Sequence, residues 1–530
     1  AKISEALGAR VQLDDISLSI VPRPHLSIQR LAIRGQSGTQ AGLSVGSLSA
    51  EAALMPLLSK RLEVSSLTVK SPRIILQKVG SEIRIKGIEP RSPSTSPSNP
   101  PQPTSTSSAP SSTSTSASTA PLAISIERIA ISDGELRFED TTTKNTYTVG
   151  AIELDAGVAL GGEQIRLQRT TLSARAPGDI PVSITANSST FHPATGAIDL
   201  PELQISLPAG RITATASTQS SRSGKITLSA SSLDIPKLTQ MLRTFAPTLP
   251  PMKPEGSLEF RLIHDLGRQT IEVDKLSVKG FGGELRAPTS VSLGAAITIA
   301  TKPTADALSI TKLLSAFKPE LAGSVSGTLS QLRAEFSGIN AADPINSTVG
   351  SGAVTVKDGT LKGLNIPAQA LAKIDSLPFL KGNLRQRVPP EFESIFAKPD
   401  TDIKELRSNF SATRGILQLS NLVLESDVFS LRGGGTYKMS GETNFTAELL
   451  LNQAVSSGIS ARVKELAPLV NAQGQLVIPL TITGKLPAVI VTPDIDAILK
   501  NVSISGVAQA LDGVLKDKKV GGKLGKILGF

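Results

Sequence analysis

ERIAISDGELRFED, residues 127–140, is the stretch on which the fold turns. Ile129 and Ile131 alternate with polar residues, Leu136 and Phe138 resume the alternation, and Asp133-Gly134 stands between the two halves. Period two marks a strand with one apolar face, and aspartate-glycine suits a two-residue turn because both central residues can take positive φ. The stretch is expected to be a β-hairpin in which Ile131 faces Leu136 and Ile129 faces Phe138. All four then share one face, with Ser132, Glu135 and Arg137 on the other.

Four further stretches repeat the unit. SSLTVKSPRIILQ sets Val69 against Ile74 and Leu67 against Leu76 across Ser71-Pro72, and GAVTVKDGTLKG sets Val356 against Leu361 across Asp358-Gly359. SNLVLESDVFSLRG pairs Leu424 with Phe429 and Leu422 with Leu431, and DKLSVKGFGGELRA pairs Val278 with Leu285. Recurrence along the whole chain predicts a mainly β protein: an elongated, curled antiparallel sheet of repeated hairpins, groove-like, with a few short helices and a C-terminal amphipathic helix. Valine, isoleucine, leucine, serine and threonine suit pleated, half-buried strands.

At 530 residues the chain exceeds one ordinary domain. Aromatics are only 3%, so the apolar surface is built with few bulky anchors. There is no cysteine, which excludes disulfides, thiolate metal sites and cysteine catalysis. His25, His192 and His264 stand apart in the sequence, and GxxxxGK[ST], HExxH and GxSxG are all absent. GFGG at Gly280–Gly283 lies between two strands and reads as a turn, not a phosphate loop. No enzyme, metal or cofactor is expected. The formal charge of +10 favours an anionic partner. No basic cluster interleaves with aromatics, which argues for phospholipid headgroups and against nucleic acid.

Five regions follow from composition. Residues 1–89 are an N-terminal β region, and 90–121 a Pro/Ser/Thr linker with no bulky apolar residue, expected to stay disordered. Residues 122–340 are a middle β region with two helical inserts, in which Leu238, Met241, Leu242 and Phe245, then Leu313, Leu314 and Phe317, form helical apolar faces. Residues 341–493 are a C-terminal β region, and 494–530 a basic amphipathic tail. Lys516, Lys518, Lys519, Lys523 and Lys526 in that tail are candidates for a membrane surface. No apolar run is long enough to span a bilayer.

The order of LGARVQLDDISLSIVPRPHLSIQRLAI and VGSLSAEAALMPLLSKRLEVSSLTVKSPRIIL resembles the start of AsmA-type proteins, through Gly8, Arg10, Val11, Pro22, Pro24, Pro56, Leu57, Leu58 and Pro72. Gly352, Asp358, Gly359, Gly415, Gly433 to Gly435, Pro487, Pro493 and Asp494 are similar to the family's C-terminal region. The resemblance implies a periplasmic protein of outer-membrane biogenesis in a Gram-negative bacterium, anchored to the inner membrane by a helix lying just before Ala1. AsmA-like proteins in turn resemble chorein-type bridge proteins, which implies phospholipid carried between membranes along an apolar β-groove. The groove residues expected are Ile129, Ile131, Leu136, Phe138, Val354, Val356, Leu361, Leu422, Leu424, Phe429 and Leu431. The alternative is a non-enzymatic assembly or scaffold factor for outer-membrane proteins, with outer-membrane components as partners.

Overall fold

The computed structural model describes residues 9–20, 23–35, 40–53, 55, 62–80, 82–88, 124–161, 163–246, 252–340, 342–376, 388–390, 393, 397–485 and 488–502. The linker, the segment before Ala9 and the tail lysines Lys516, Lys518, Lys519, Lys523 and Lys526 lie outside the described residues. The protein is mainly β, its strands overwhelmingly antiparallel, with a few short helices. Two compact units divide the chain near residues 233–269.

Unit 1 opens with β1 (Ala9–Gln12) and β2 (Asp15–Ser19), both antiparallel to β3 (His25–Gly35). There follow β4 (Ala41–Ala52), β5 (Leu62–Lys70), β6 (Arg73–Val79), β7 (Glu82–Ile85), β8 (Ile124–Ile126) and β9 (Arg128–Asp140). A meander completes the unit: β10 (Thr146–Gly161), β11 (Gln164–Ala176), β12 (Ile180–His192), β13 (Ala197–Leu207), β14 (Gly210–Ser220) and β15 (Ser223–Asp234). One junction breaks the antiparallel rule. β5 runs parallel to β8 and β9, and β6 parallel to β9.

The expected hairpin at Asp133-Gly134 is absent: β9 is one strand of 13 residues. Ile131 lies opposite Val69 and Leu154, and Leu136 opposite Ile74 and Val149, not opposite each other. Asp133 alone of the pair has positive φ, at 51°, and the pairing with β10 shifts there. That is a β-bulge, one extra residue in a continuing strand. Ser71-Pro72 and Asp358-Gly359 behave alike, with only Ser71 (49°) and Asp358 (50°) left-handed. A type I′ reversal needs positive φ at both central residues. Phe281-Gly282 (54° and 85°) and Arg414-Gly415 (50° and 72°) meet that need, and there the chain does reverse.

The bulge nevertheless preserves the one-face arrangement. Odd-numbered Ile129 and Ile131 and even-numbered Leu136 and Phe138 stay together because the extra residue resets the alternation. The neighbouring strands reset at the same level. Arg30 (49°) lies between pairs that place it opposite Gly46, and Ser71 donates through its hydroxyl to Asp133 at 2.9 Å. The Asp133 amide donates to Glu153, and Ala151 has φ 47°. A line of left-handed residues therefore crosses β3, the β5/β6 junction, β9 and β10.

Unit 2 begins with shorter strands: β16 (Ser257–Asp265), β17 (Thr270–Val273), β18 (Ser277–Gly280), β19 (Gly283–Arg286), β20 (Thr289–Leu293), β21 (Ile297–Thr301), β22 (Thr304–Asp306) and β23 (Leu308–Ser309). The long β24 (Val325–Asn340) and β25 (Val349–Leu361) lead into β26 (Thr401–Thr413), β27 (Ile416–Glu425), β28 (Phe429–Lys438), β29 (Glu442–Leu451), β30 (Val477–Lys485) and β31 (Ala488–Pro493). Val278 pairs with Leu285 as expected. In the β27–β28 hairpin the register is two residues off the expectation, with Leu424 opposite Leu431 and Leu422 opposite Gly433. The reversal there closes on a hydrogen bond from Ser426 N–H to Phe429 C=O at 2.9 Å and turns through Asp427 and Val428.

Six α-helices are described: α1 (Ile235–Phe245), α2 (Ile310–Phe317), α3 (Pro344–Ser347), α4 (Ile366–Asp375), α5 (Gln453–Arg462) and α6 (Ile495–Val502). The first two are the amphipathic inserts expected from sequence. No described helix is long and apolar enough to cross a membrane. In unit 2 α4, α5 and α6 plug the end of the sheet. Asn365 caps α4, accepting from Ala368 N–H and donating to Lys398 C=O, both at 2.8 Å. Asn452 caps α5 through Val455 N–H at 2.9 Å. Ser456, fully buried, donates to Leu451 C=O and accepts from Leu476 N–H, so no polar atom is stranded where α5 meets the sheet.

Candidate functional site

Directly opposed residues of neighbouring strands share a face, so the register fixes what that face carries. In unit 1 the chain of partners runs Ile16, Ile28, Leu48, Val69, Ile131, Leu154, Leu172, Ile184, Ile205, Ile212, one residue from each of ten strands. At about 4.8 Å per strand this apolar row is roughly 40 Å long. A second row beside it includes Ala50, Leu67, Ile129 and Ala156. Beyond the bulges lie Ile74, Leu136 and Val149, then Leu76, Phe138 and Tyr147. Ile129, Ile131, Leu136 and Phe138 are all half-buried. α1 meets this face where the Phe245 ring centroid lies 6.2 Å from that of Tyr147. Leu242 and Phe245 of that helix remain 49% and 43% exposed.

The opposite face carries most of the charges. Arg128 donates to Asp155 and holds its carboxyl below the usual range, first by that hydrogen bond and then by charge. At the end of β9, on the side of Phe138, the Asp140 carboxyl is lowered chiefly by the amides of Thr143 and Thr142. In unit 2 the Ser277 hydroxyl, and secondarily the charges of Arg286 and Lys279, lower Glu284. These are strand-surface pairs. Among the described residues no three His, Asp or Glu side chains converge as a metal site would require.

Unit 2 treats its apolar face differently. Leu422, Leu424, Phe429 and Leu431 are 9%, 3%, 5% and 3% exposed and belong to a core with Leu449, Val455, Ile459, Leu476, Ile478 and Ile498. Val354, Val356 and Leu361 are half-buried. Two apolar cavities lie on this face, the second bordered by Ile366 of α4. One, of about 480 Å³, is bounded by Leu332, Phe336, Val354, Phe410, Ile345 and Met439, and the other, of about 390 Å³, by Leu361, Leu422, Leu424, Leu431, Phe445 and Ile482. Leu417 and Leu419 line both. The structure thus brings Val354, Leu361, Leu422, Leu424 and Leu431 to cavity walls and encloses Phe429 in the core. Leu332, Phe336, Phe410, Leu417 and Leu419 were not among the expected residues. The alternation of Leu417 and Leu419 in β27 was the available signal, and the break at Asn421 (φ 51°) separates it from Leu422 and Leu424.

No curated protein and no solved structure matches the chain. Residues 1–180 match the AsmA family, and over these residues the chain is similar to AsmA-type proteins, as the pattern from Gly8 to Pro72 implies.

Proposed function

We propose that this protein carries phospholipids between the membranes of a bacterial envelope, without covalent chemistry, as a periplasmic component of outer-membrane biogenesis anchored to the inner membrane. The observation that supports this most is the unbroken apolar row from Ile16 to Ile212. Acyl chains gain about 0.8 kcal/mol per methylene buried, so a continuous row lets a chain shift sideways without returning to water. Headgroups stay in solvent, and the cationic excess of the chain favours anionic ones. The AsmA similarity supports the envelope setting.

A photocrosslinking residue at Ile131 or Val356, followed by lipid extraction and native mass spectrometry of the purified chain, tests the reading. Adducts of two-chain phospholipid at both positions are expected. No adduct and no co-purifying phospholipid would sink it. The assembly-factor alternative draws on one observation: β1 and β2 pair only with β3 among the described residues, and Leu13, Ile16, Leu18 and Ile20 are 41%, 57%, 70% and 60% exposed along that edge. Such an edge suits strand addition by another β protein. Adducts with outer-membrane proteins from probes at Leu18, together with none to lipid at Ile131, would favour it.

A further inference from the structure

We propose that the two cavities of unit 2 form one continuous pocket for a single acyl chain ending in an anionic group, with Arg414 at one end. The proposal rests on reading the apolar face as a lipid surface, and adds a site of fixed capacity to it. Leu417 and Leu419 form a wall common to both cavities, so a chain entering the first continues along the second. Leu422, Leu424 and Leu431 floor the second cavity and are themselves packed into the core beneath α4 and α5.

The outer end is open. Ile345, Ile416 and Met439 stand at the rim, 56%, 39% and 51% exposed. α3 leans on the β26–β27 turn there: a Cβ on Gly415 would come within 3.1 Å of the Ile345 side chain. The two volumes are those of small-ligand sites, which suits an unbranched chain.

Charge at the rim decides the chain's end group. Lys438 is neutralised by Glu442 at 2.6 Å, and Asp343 is occupied in capping α3, accepting from the Asn346 amide and side chain. Arg414 is exposed, sits beside the lining residue Gly415, and has no ion pair among the described residues. Its φ of 50°, fixed by the reversal, holds it at the tip of the turn. With the Asp343 oxygens taken up by Asn346, Arg414 is the cation near the entrance with no ion pair among the described residues, and a carboxylate or phosphate is the end group that complements it.

The test titrates the full chain with a fluorescent long-chain fatty acid, the matching fatty alcohol and a lysophosphatidylglycerol. One-to-one binding is expected, with the fatty acid and the lysolipid bound about tenfold more tightly than the alcohol, the size of one charge-assisted contact. Arg414→Glu should remove that preference and leave the alcohol unchanged, and Leu419→Trp should abolish binding of all three. Equal affinity for acid and alcohol, or a preference that survives Arg414→Glu, overturns the assignment. A fatty acid preferred over the lysolipid identifies the free acid as the occupant, and the reverse identifies a single-chain phospholipid. If Leu419→Trp does not fold, the exposed Arg414→Glu variant decides alone. A crosslinker at Leu419 that fails to label with fatty acid, while one at Ile131 labels with two-chain phospholipid, sinks the pocket and spares the transport reading. The opposite pattern spares the pocket and sinks transport.

Discussion

Unit 1 and the helix-plugged part of unit 2 are made from the same element, a strand with one apolar face, and finish it in opposite ways. Among the described residues of unit 1 the buried apolar side chains are mostly alanines, such as Ala156, Ala186, Ala214 and Ala216, while Ile131, Leu136 and Phe138 stay half-exposed. In unit 2, Leu449, Leu451, Ile459, Leu476, Ile478 and Leu480 are fully enclosed. What separates the two is a cover. α4, α5 and α6 bring Ile374, Ile459 and Ile498 down onto that face, and among its described residues unit 1 has only the partly exposed α1. A half-exposed row of large apolar residues contributes less to stability than a core does, and is retained at a cost that a ligand would offset.

The largest expected effect separates the two faces by truncation. Ile459→Ala should destabilise by about 3–4 kcal/mol, because a fully enclosed side chain leaves a cavity. Ile131→Ala, on a half-buried site, should cost about 1 kcal/mol in denaturant melts of the lipid-free chain. Equal costs would mean that the unit 1 face is an ordinary core and would break the comparison. A smaller effect tests the bulge that keeps that face uniform. Asp133→Val should cost about 1–2 kcal/mol, since a β-branched residue resists positive φ and loses the hydrogen bond from Ser71, whereas Asp133→Asn should be nearly neutral. Valine tolerated as well as asparagine would show that the bulge is not held by this residue.

The smallest effect concerns the charged face. Asp155 is lowered in the folded state by Arg128, so its contribution is present above the ordinary aspartate value near 3.8 and is lost as pH falls through the lowered one. Both side chains are about half exposed, which leaves little to measure. Asp155→Asn should lower the melting temperature slightly at pH 7, and the gap from the parent should close on acidification to pH 3. A gap that widens would mean that Asp155 acts other than as an ionised partner of Arg128.

Much of this was legible in residues 127–140 and their repeats: the strand class, the single apolar face, the two amphipathic helices and the Val278–Leu285 register. The reversal at Asp133-Gly134 was not, because aspartate before glycine satisfies a bulge as readily as a turn. The choice is made by partners far along the chain, Leu67 to Lys70 on one side and Leu154 on the other. Phe281-Gly282 shows the converse. Its unfavourable phenylalanine at positive φ is held by burial against Ala305, Leu308 and Ala316 and by the Phe317 ring at 5.8 Å. The cavity walls were hidden for a similar reason. Leu332, Val354, Leu417 and Leu419 come from three strands well separated in sequence, and no local window contains them all.

The parallel junction of β5 with β8 and β9 has a consequence for how the chain is allowed to vary. Antiparallel neighbours can be joined by a tight turn, but parallel ones need the chain to travel back to its starting level. Ile85 pairs with Leu76, and Ile124 with Leu62, so the return covers fourteen register positions, about 46 Å at roughly 3.3 Å per residue. About 14 extended residues would span it, and residues 86–123 supply more than twice that. The Pro/Ser/Thr tract thus occupies the one described junction where a long connection is compulsory, and its surplus makes it a place for length polymorphism. Each doubling of such a loop costs only about 0.6 kcal/mol, so insertions and deletions there can accumulate while the strands on either side keep their register.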